Sequence, residues 1–418
     1  MEKNLLPKRY PINSTDYLLL LFHKQLRKKG KCGNVVRTVL NWKGRISQEE
    51  IQVKLDENPI LAWINSYHVK ENNFGKPVYW EIGDKPLPIG IEHKSIAEEN
   101  LPTEVLNFNL DPYGNGLIHF LLIDYPEDKQ ALVISVNHCF TDYKGVQELI
   151  RIAIGKNSKL PTSWISDPDI KLPFFPKLLN SLEIVGFMLK TINQRIATIG
   201  IRKNSGPNKS YWKQYNEEES KFFDTEMSKY GLGLLPNVYF LGWALLRLHS
   251  SGYLPKGQLI WVNVPIDSRK KGKETSILGN NLWFMFYRLS TDTLTKGENA
   301  VFKELKQQTI EQMKAGWPKK YAIMATWWKG MPHHLYSLFV KLPSLGKISS
   351  LSFSNLGECF PDFEEAFGQT ITSIQNFPSN PSPPGLGLVV MQRKGCYAIN
   401  FTTELEVEFD FRIMQGQQ

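Results

Sequence analysis

The sequence predicts an α/β protein built as two lobes, on three observations. Apolar, β-branched runs of strand length alternate along the chain with segments of helical periodicity. At 418 residues the chain exceeds what one hydrophobic core comfortably holds, so two domains are expected. Between Pro161 and about Gly206 the composition shifts: Pro161, Pro168, Pro173 and Pro176 precede one long basic amphipathic pattern, Leu178 to Arg202, as a crossover between lobes would read. With 42% hydrophobic and 22% charged residues, the composition is that of an ordinary globular protein.

In order along the first lobe, Asp16 to Lys29 has an apolar first half and a basic second half, which suits a helix with cations near its C-terminus, and Gly30 to Gly33 ends it. Val35 to Trp42 is a strand. Ser47 to Asn58 is a helix, with Ser47 as cap and Glu50 in capping-box spacing, and Val78 to Ile82 is a short strand after Pro77. Leu117 to Asp124 and Gln130 to Val136 form a hairpin across residues 126–129, and Gly145 to Ile154 makes a helix behind it. Beyond the crossover, Asn237 to His249 is a strongly apolar helix and Gln258 to Val264 a strand; Asn281 to Leu289 continues the sheet, Val301 to Trp317 is a polar-faced helix, and Leu351 to Ser354 is another strand.

The most informative stretch is Asn137 to Gly145. The buried-strand pattern Ala131 to Val136 delivers His138 to a strand end, with Asp142 four residues on. A neutral imidazole there is a candidate general base for a hydroxyl or amine, because its ordinary pKa lies near working pH. The spacing alone is weak evidence, since roughly 0.3 such pairs arise by chance in a chain with this composition. Context has to supply the rest.

That context is a resemblance spanning nearly the whole chain. His138, Asp142 and their strand resemble the HHxxxDG motif of the CoA-dependent acyltransferase superfamily, which includes peptide-synthetase condensation domains, wax ester synthases and polyketide-associated acyltransferases. The segments 11–16, 40–44 and 59–63 are similar to that family's opening helix, first strand and the segment after its second helix. Val264 to Arg269, Gly279-Asn280 and Ser354 to Gly357 resemble three motifs of its second half, and Gly385 to Leu388, Met391 to Gly395 and Ala398 to Thr402 resemble its closing strands.

The resemblance implies two chloramphenicol-acetyltransferase-like lobes forming a pseudo-dimer with a channel between them: residues 1–170 carrying the motif, 171–206 as the crossover, and 207–418 as the second lobe. It implies His138 as general base and Asp142 as structural support paired with Arg269 from the other lobe. Asn137, Tyr143, Gly145, Asn280, Ser354 and Asn355 are candidates for substrate or oxyanion contacts. The implied chemistry moves an acyl group from acyl-CoA or a phosphopantetheinyl carrier protein, as co-substrate, to a hydroxyl or amine, in secondary or lipid metabolism and with no bound cofactor. Two positions depart from the motif. Asn137 replaces the first histidine, and Tyr143 replaces the glycine after the aspartate, adding bulk beside the base. They keep two alternatives open: a condensation-like enzyme shifted to cyclisation or dehydration, and a non-catalytic protein that binds a carrier or partner.

Other features exclude more than they assign. Cys32, Cys139, Cys359 and Cys396 lie far apart, against a zinc site or disulfide framework, and Cys139 points opposite to His138 on an extended segment, so no thiol dyad is expected. The net charge of +9 suits anionic partners such as CoA, an acidic carrier protein or inner-leaflet lipid; no nucleic-acid motif accompanies it. Phe187, Met188, Leu189 and Ile192, interleaved with Lys190 and Arg195, allow contact with a membrane surface. The first residues lack a secretory pattern, so cytoplasmic residence is expected. His333-His334 is a decoy, because Leu338 stands where an aspartate is required; Gly385 to Gly387 lacks a third glycine and is no dinucleotide site. Trp327-Trp328 and Trp283 to Tyr287 read as core more than as tunnel lining.

Overall fold

The computed structural model describes residues 5–97, 101–114, 116–155, 163–165, 169–191, 194–198, 208–269, 276–341, 349–379 and 385–404. The chain opens with β1 (Arg9–Pro11) and α1 (Ser14–Lys28). Asn13 caps α1 by accepting from Asp16 N while the Asp16 carboxylate reaches back to Asn13 N, so the helix begins just ahead of the expected start. Next come β2 (Val35–Lys43), α2 (Gln48–Asp56), which carries the Ser47–Glu50 capping box, α3 (Pro59–Asn65), β3 (His68–Glu71), β4 (Pro77–Glu81), β5 (Ile91–Ser95) and α4 (Thr103–Asn107). β6 (Ile118–Tyr125) and β7 (Lys129–Asn137) are the expected antiparallel hairpin, and α5 (Tyr143–Ala153) follows the motif.

After the crossover helix α6 (Phe174–Leu189) come β8 (Lys209–Gln214), α7 (Glu217–Lys229), α8 (Pro236–Ser250), β9 (Leu259–Asp267) and β10 (Leu282–Ser290). The chain continues with α9 (Thr291–Leu294), α10 (Glu298–Lys314), α11 (Trp317–Trp328), α12 (His333–Lys341), β11 (Ser352–Glu358), β12 (Glu365–Ala366), β13 (Gln369–Phe377), β14 (Leu386–Arg393) and β15 (Cys396–Thr403).

Among the described residues the larger sheets have the orders β12-β13-β2-β7-β6-β5 and β11-β14-β15-β8, with β9 and β10 paired beside the second and β1-β4-β3 beside the first. One core lies under α1, α3 and α5 on the first sheet, around Leu40, Ile134 and Phe140, and the second gathers Phe223, Phe240, Trp243, Leu388 and Phe401. The outer face of the first sheet is covered separately, Val39 and Val133 packing with Val105 of α4.

Three expectations need correction. The span 207–418 does not stay in one lobe's sheet, because β13 pairs antiparallel with β2 from Ile371↔Trp42 to Phe377↔Arg37. The single helix expected over Val301 to Trp317 ends at Lys314: Gly316 takes a left-handed φ of 66°, and Trp317-Pro318 starts α11, where proline's missing N–H costs nothing. The helix expected over Leu178 to Arg202 begins earlier, after Pro173, and ends at Leu189; Ile192 and residues 199–207 lie outside the described residues, as do Pro161 and Pro168. Its Phe187 and Met188 turn inward, Phe187 against Trp317 at 4.2 Å between ring centroids and Met188 into the first core.

Candidate active site

The motif turn is built by backbone bonds at the end of β7. Asn137 N donates to Leu117 O at 2.9 Å and His138 N to Asn34 O at 2.9 Å, so the chain leaves the sheet only after the histidine is anchored. Cys139 N then donates to Asn137 Oδ1, and Phe140 N to Asn137 O, which folds the strand end into a turn. Across the lobe junction Gly279 N donates to Phe140 O at 2.9 Å, and Thr141 bridges Gly279 in parallel.

His138 lines a channel between the two lobes. Its Nδ1 lies 2.9 Å from Thr141 O, and a carbonyl only accepts, so Nδ1 carries the proton and Nε2 is left with a free lone pair. Burial lowers the imidazole pKa, and the Thr141 carbonyl and then Asp142 oppose that shift without reversing it. The ring therefore rests neutral at physiological pH.

Asp142 does not face the imidazole as a relay. It caps α5, its Oδ1 accepting from Gly145 N at 3.1 Å, while Oδ2 accepts from Asn281 N at 2.8 Å. Arg269 Nη2 reaches both oxygens, at 2.9 Å and 2.8 Å. Both side chains are largely shielded from water, and Arg269 also bonds Asp267 at 3.1 Å, so it is not a solvated member of its charge run; Lys270 to Lys273 lie outside the described residues.

Asn280 forms a second link. Its backbone N and its Nδ2 each donate to Asp16 Oδ1 at 2.9 Å, and Nδ2 also reaches His138 O at 3.0 Å and Cys139 O at 3.2 Å. Asn13 Nδ2 closes the set by donating to Asn280 O at 3.1 Å. Asp16 further accepts from Trp80 Nε1. Burial raises its pKa to about 7, the bonds from Asn280, Trp80 and Asn13 working against the rise.

The candidates for substrate contact therefore separate. Tyr143, Ser354 and Asn355 line the channel. The Tyr143 hydroxyl is itself buried, beside Cys359 and Asn376, and Asn355 spends its Oδ1 on Gly357 N at 3.0 Å. Three others are corrected. Asn137 is fully buried and committed, its Nδ2 to Leu110 O at 2.7 Å and its Oδ1 to Cys139 N, so it does not reach the channel. Asn280 has both amide protons engaged and no donor left for an oxyanion. Gly145 is needed for space: a Cβ there would lie 2.0 Å from Thr141 Oγ1 and 2.6 Å from Ile277 O.

The channel also has an apolar lining, from Leu19, Phe22 and Leu26 of α1 and Phe284 of β10. Phe284 is thus tunnel lining, whereas Met285 and Tyr287, alternating with it, belong to the second core. Trp328 is buried and Trp327 packs on Phe174. His333 packs against Tyr17 at 4.4 Å, and neither it nor His334 lines the channel. Cys139 is fully buried, its thiol pKa pushed well up by burial, as an inert packing residue requires. Sequence reading missed Asp16, Thr141 and Asn281 as parts of the site. Only the Asn13–Asp16 capping spacing offered a local signal for any of them.

Two lobes, a channel between them, and a histidine carried into it on a strand end define a chloramphenicol-acetyltransferase-like fold. Solved structures show the same fold. The first condensation domain of the CDA synthetase aligns with TM-score 0.66 at 12% identity, over 94% of this chain and 90% of that one. The trichothecene 15-O-acetyltransferase of Fusarium sporotrichioides aligns with TM-score 0.66 at 11% identity, over 94% and 91%. The cyclization-docking bidomain of the EpoB peptide synthetase from Sorangium cellulosum gives TM-score 0.60 at 9% identity, over 94% and 79%. No family model and no curated protein matches the sequence.

Proposed function

We propose that the protein is an acyltransferase that moves an acyl group from a CoA or carrier-protein thioester to a hydroxyl or amine, with His138 as general base. The observation that carries this reading is the Nδ1 bond to Thr141 O, which fixes the tautomer that leaves Nε2 basic in a channel shared by both lobes. Nε2 takes the acceptor's proton as its oxygen or nitrogen attacks the thioester carbonyl carbon. The tetrahedral intermediate collapses by breaking the C–S bond, and the imidazolium returns the proton to the departing thiolate. No covalent enzyme intermediate is needed.

Charge developing on the carbonyl oxygen requires a donor, and Ser354 Oγ and Asn355 Nδ2 belong to channel residues able to supply one. Asp142 and Arg269 act as positioning residues that hold the turn and the start of α5. A likeness to condensation domains and an acetyltransferase supports this class of chemistry; the donor's carrier and the acceptor are part of the proposal.

The test is thiol release from a panel of acyl-CoA and acyl-carrier donors with mixed alcohol and amine acceptors. Release that depends on acceptor and disappears in His138→Ala is expected. Release unchanged in that variant would remove His138 from the mechanism. A wild type silent with every donor would favour a carrier-binding or partner-binding role.

A further inference from the structure

The crossover helix presents an apolar face to water that the fold does not use. α6 buries one arc, Ser181, Ile184 and Met188, toward the body of the protein. At helical spacing a different stripe runs along Phe174, Leu178, Leu182 and Leu189, flanked by Phe175 and Leu179. Along it Phe174 is 60% exposed, Phe175 73%, Leu179 64%, Leu182 55% and Leu189 47%. Single exposed leucines need no explanation, but two phenylalanines and three leucines on one face of one helix do. On α12, whose Tyr336 packs on Trp328 of α11, Leu335 and Leu338 are exposed as well.

Exposed cations flank the helix at both ends. Lys171 before the helix, Lys190 at its end and Arg195 beyond it are exposed. The helix's acidic residue, Glu183, is neutralised by Lys320 of α11. No helix among the described residues is long and apolar enough to cross a membrane. An amphipathic face bordered by cations, held rigid by α11 beneath it, has the chemistry of an interfacial helix, with rings and leucines entering the acyl boundary and lysines meeting headgroup phosphates.

We propose that this face of α6 docks the protein onto an anionic lipid surface. The surface differs from the one expected from sequence, which counted Phe187 and Met188; the membrane-facing residues are Phe174, Phe175, Leu179, Leu182 and Leu189. The proposal does not rest on the acyl-transfer reading, because docking is measured without turnover.

The test is co-flotation of the full chain with vesicles of a zwitterionic lipid, and of the same lipid mixed with an anionic one. Binding to the anionic vesicles that weakens with added salt is expected. The variant Phe175→Gln/Leu179→Gln/Leu182→Gln should lose about tenfold or more of that binding, since each apolar contact is removed at an exposed position that leaves the fold intact. Lys171→Glu/Lys190→Glu should bring anionic binding down to the zwitterionic level. No partition into either vesicle overturns the proposal. So does partition undiminished in the glutamine variant. Sedimentation velocity covers the other occupant: a wild-type dimer that the same glutamine variant dissociates, without vesicle binding, would assign the face to a second copy of the chain.

Discussion

Arg269 Nη2 sits 2.8 Å from one oxygen of Asp142 and 2.9 Å from the other, joining the end of β9 in one lobe to the cap of α5 in the other. The aspartate therefore carries several loads at once, as helix cap, as acceptor for Asn281 N and as partner of a shielded guanidinium. Arg269→Ala leaves that carboxylate without its countercharge, and breaking such a pair costs about 3–5 kcal/mol. Urea unfolding of the variant should show that loss. Asp142→Asn, which keeps a capping oxygen, should lose less.

His138→Ala should lower acceptor-dependent thiol release by about a hundredfold or more while leaving the melting temperature close to wild type, because the ring is bonded only through Nδ1 to a backbone carbonyl. The pH profile has a direction. A general base works in its neutral form, and burial lowers the His138 pKa below the ordinary 6.5, so under the proposed mechanism the acidic limb of kcat/KM should lie below 6.5 with a plateau above it. A limb above 6.5 that vanishes with no change in the histidine would point to another base.

Gly145→Ala should destabilise the protein strongly, by about 2 kcal/mol or more, since the new methyl meets Ile277 O, a backbone atom that has no rotamer to escape into. Thermal unfolding of the variant checks this. Substitution at Gly155, where a Cβ has open space, serves as the control; its positive φ of 73° adds strain without a clash.

Asp16 should make stability fall as pH rises from the ordinary carboxylate value of 3.8 toward about 7. In that window the folded state keeps a proton that the unfolded state has lost, so the unfolding free energy has a negative slope with pH, and the slope disappears once both states are ionised. Asp16→Asn should flatten that segment of the curve. It should also loosen Asn280, and through it the carbonyls of His138 and Cys139, so kcat should fall more than KM rises.

How much of this was legible in the chain depends on distance. His138, the turn and Asp142 lie within one short segment, and the β-branched run before them shows where the strand ends, so the pair could be located locally, while its significance came from the resemblance. Arg269 was reached only through resemblance to a family. The Asp16–Asn280 link was not legible, because its partners are 264 residues apart and the capping spacing at Asp16 carries no information about Asn280. Asn137 and Asn280 looked like free amides near the site, and the structure shows both buried with their amide nitrogens already donating. The strand character of Gln369–Phe377 does not reveal its partner, which turned out to be β2 in the other lobe.

By itself the sequence determined the alternation of helix and strand, the capping box of α2, the hairpin ahead of the motif and the histidine at its end. These follow from periodicity and short-range hydrogen bonding, which neighbouring residues settle among themselves. Tertiary structure alone decided which side of α6 meets water, which amides spend their donors, and that a tyrosine after Asp142 is tolerated because the close approach falls instead at Gly145. Each of those depends on what packs opposite, and for residues brought together across the lobes that information is not carried by any one stretch of chain.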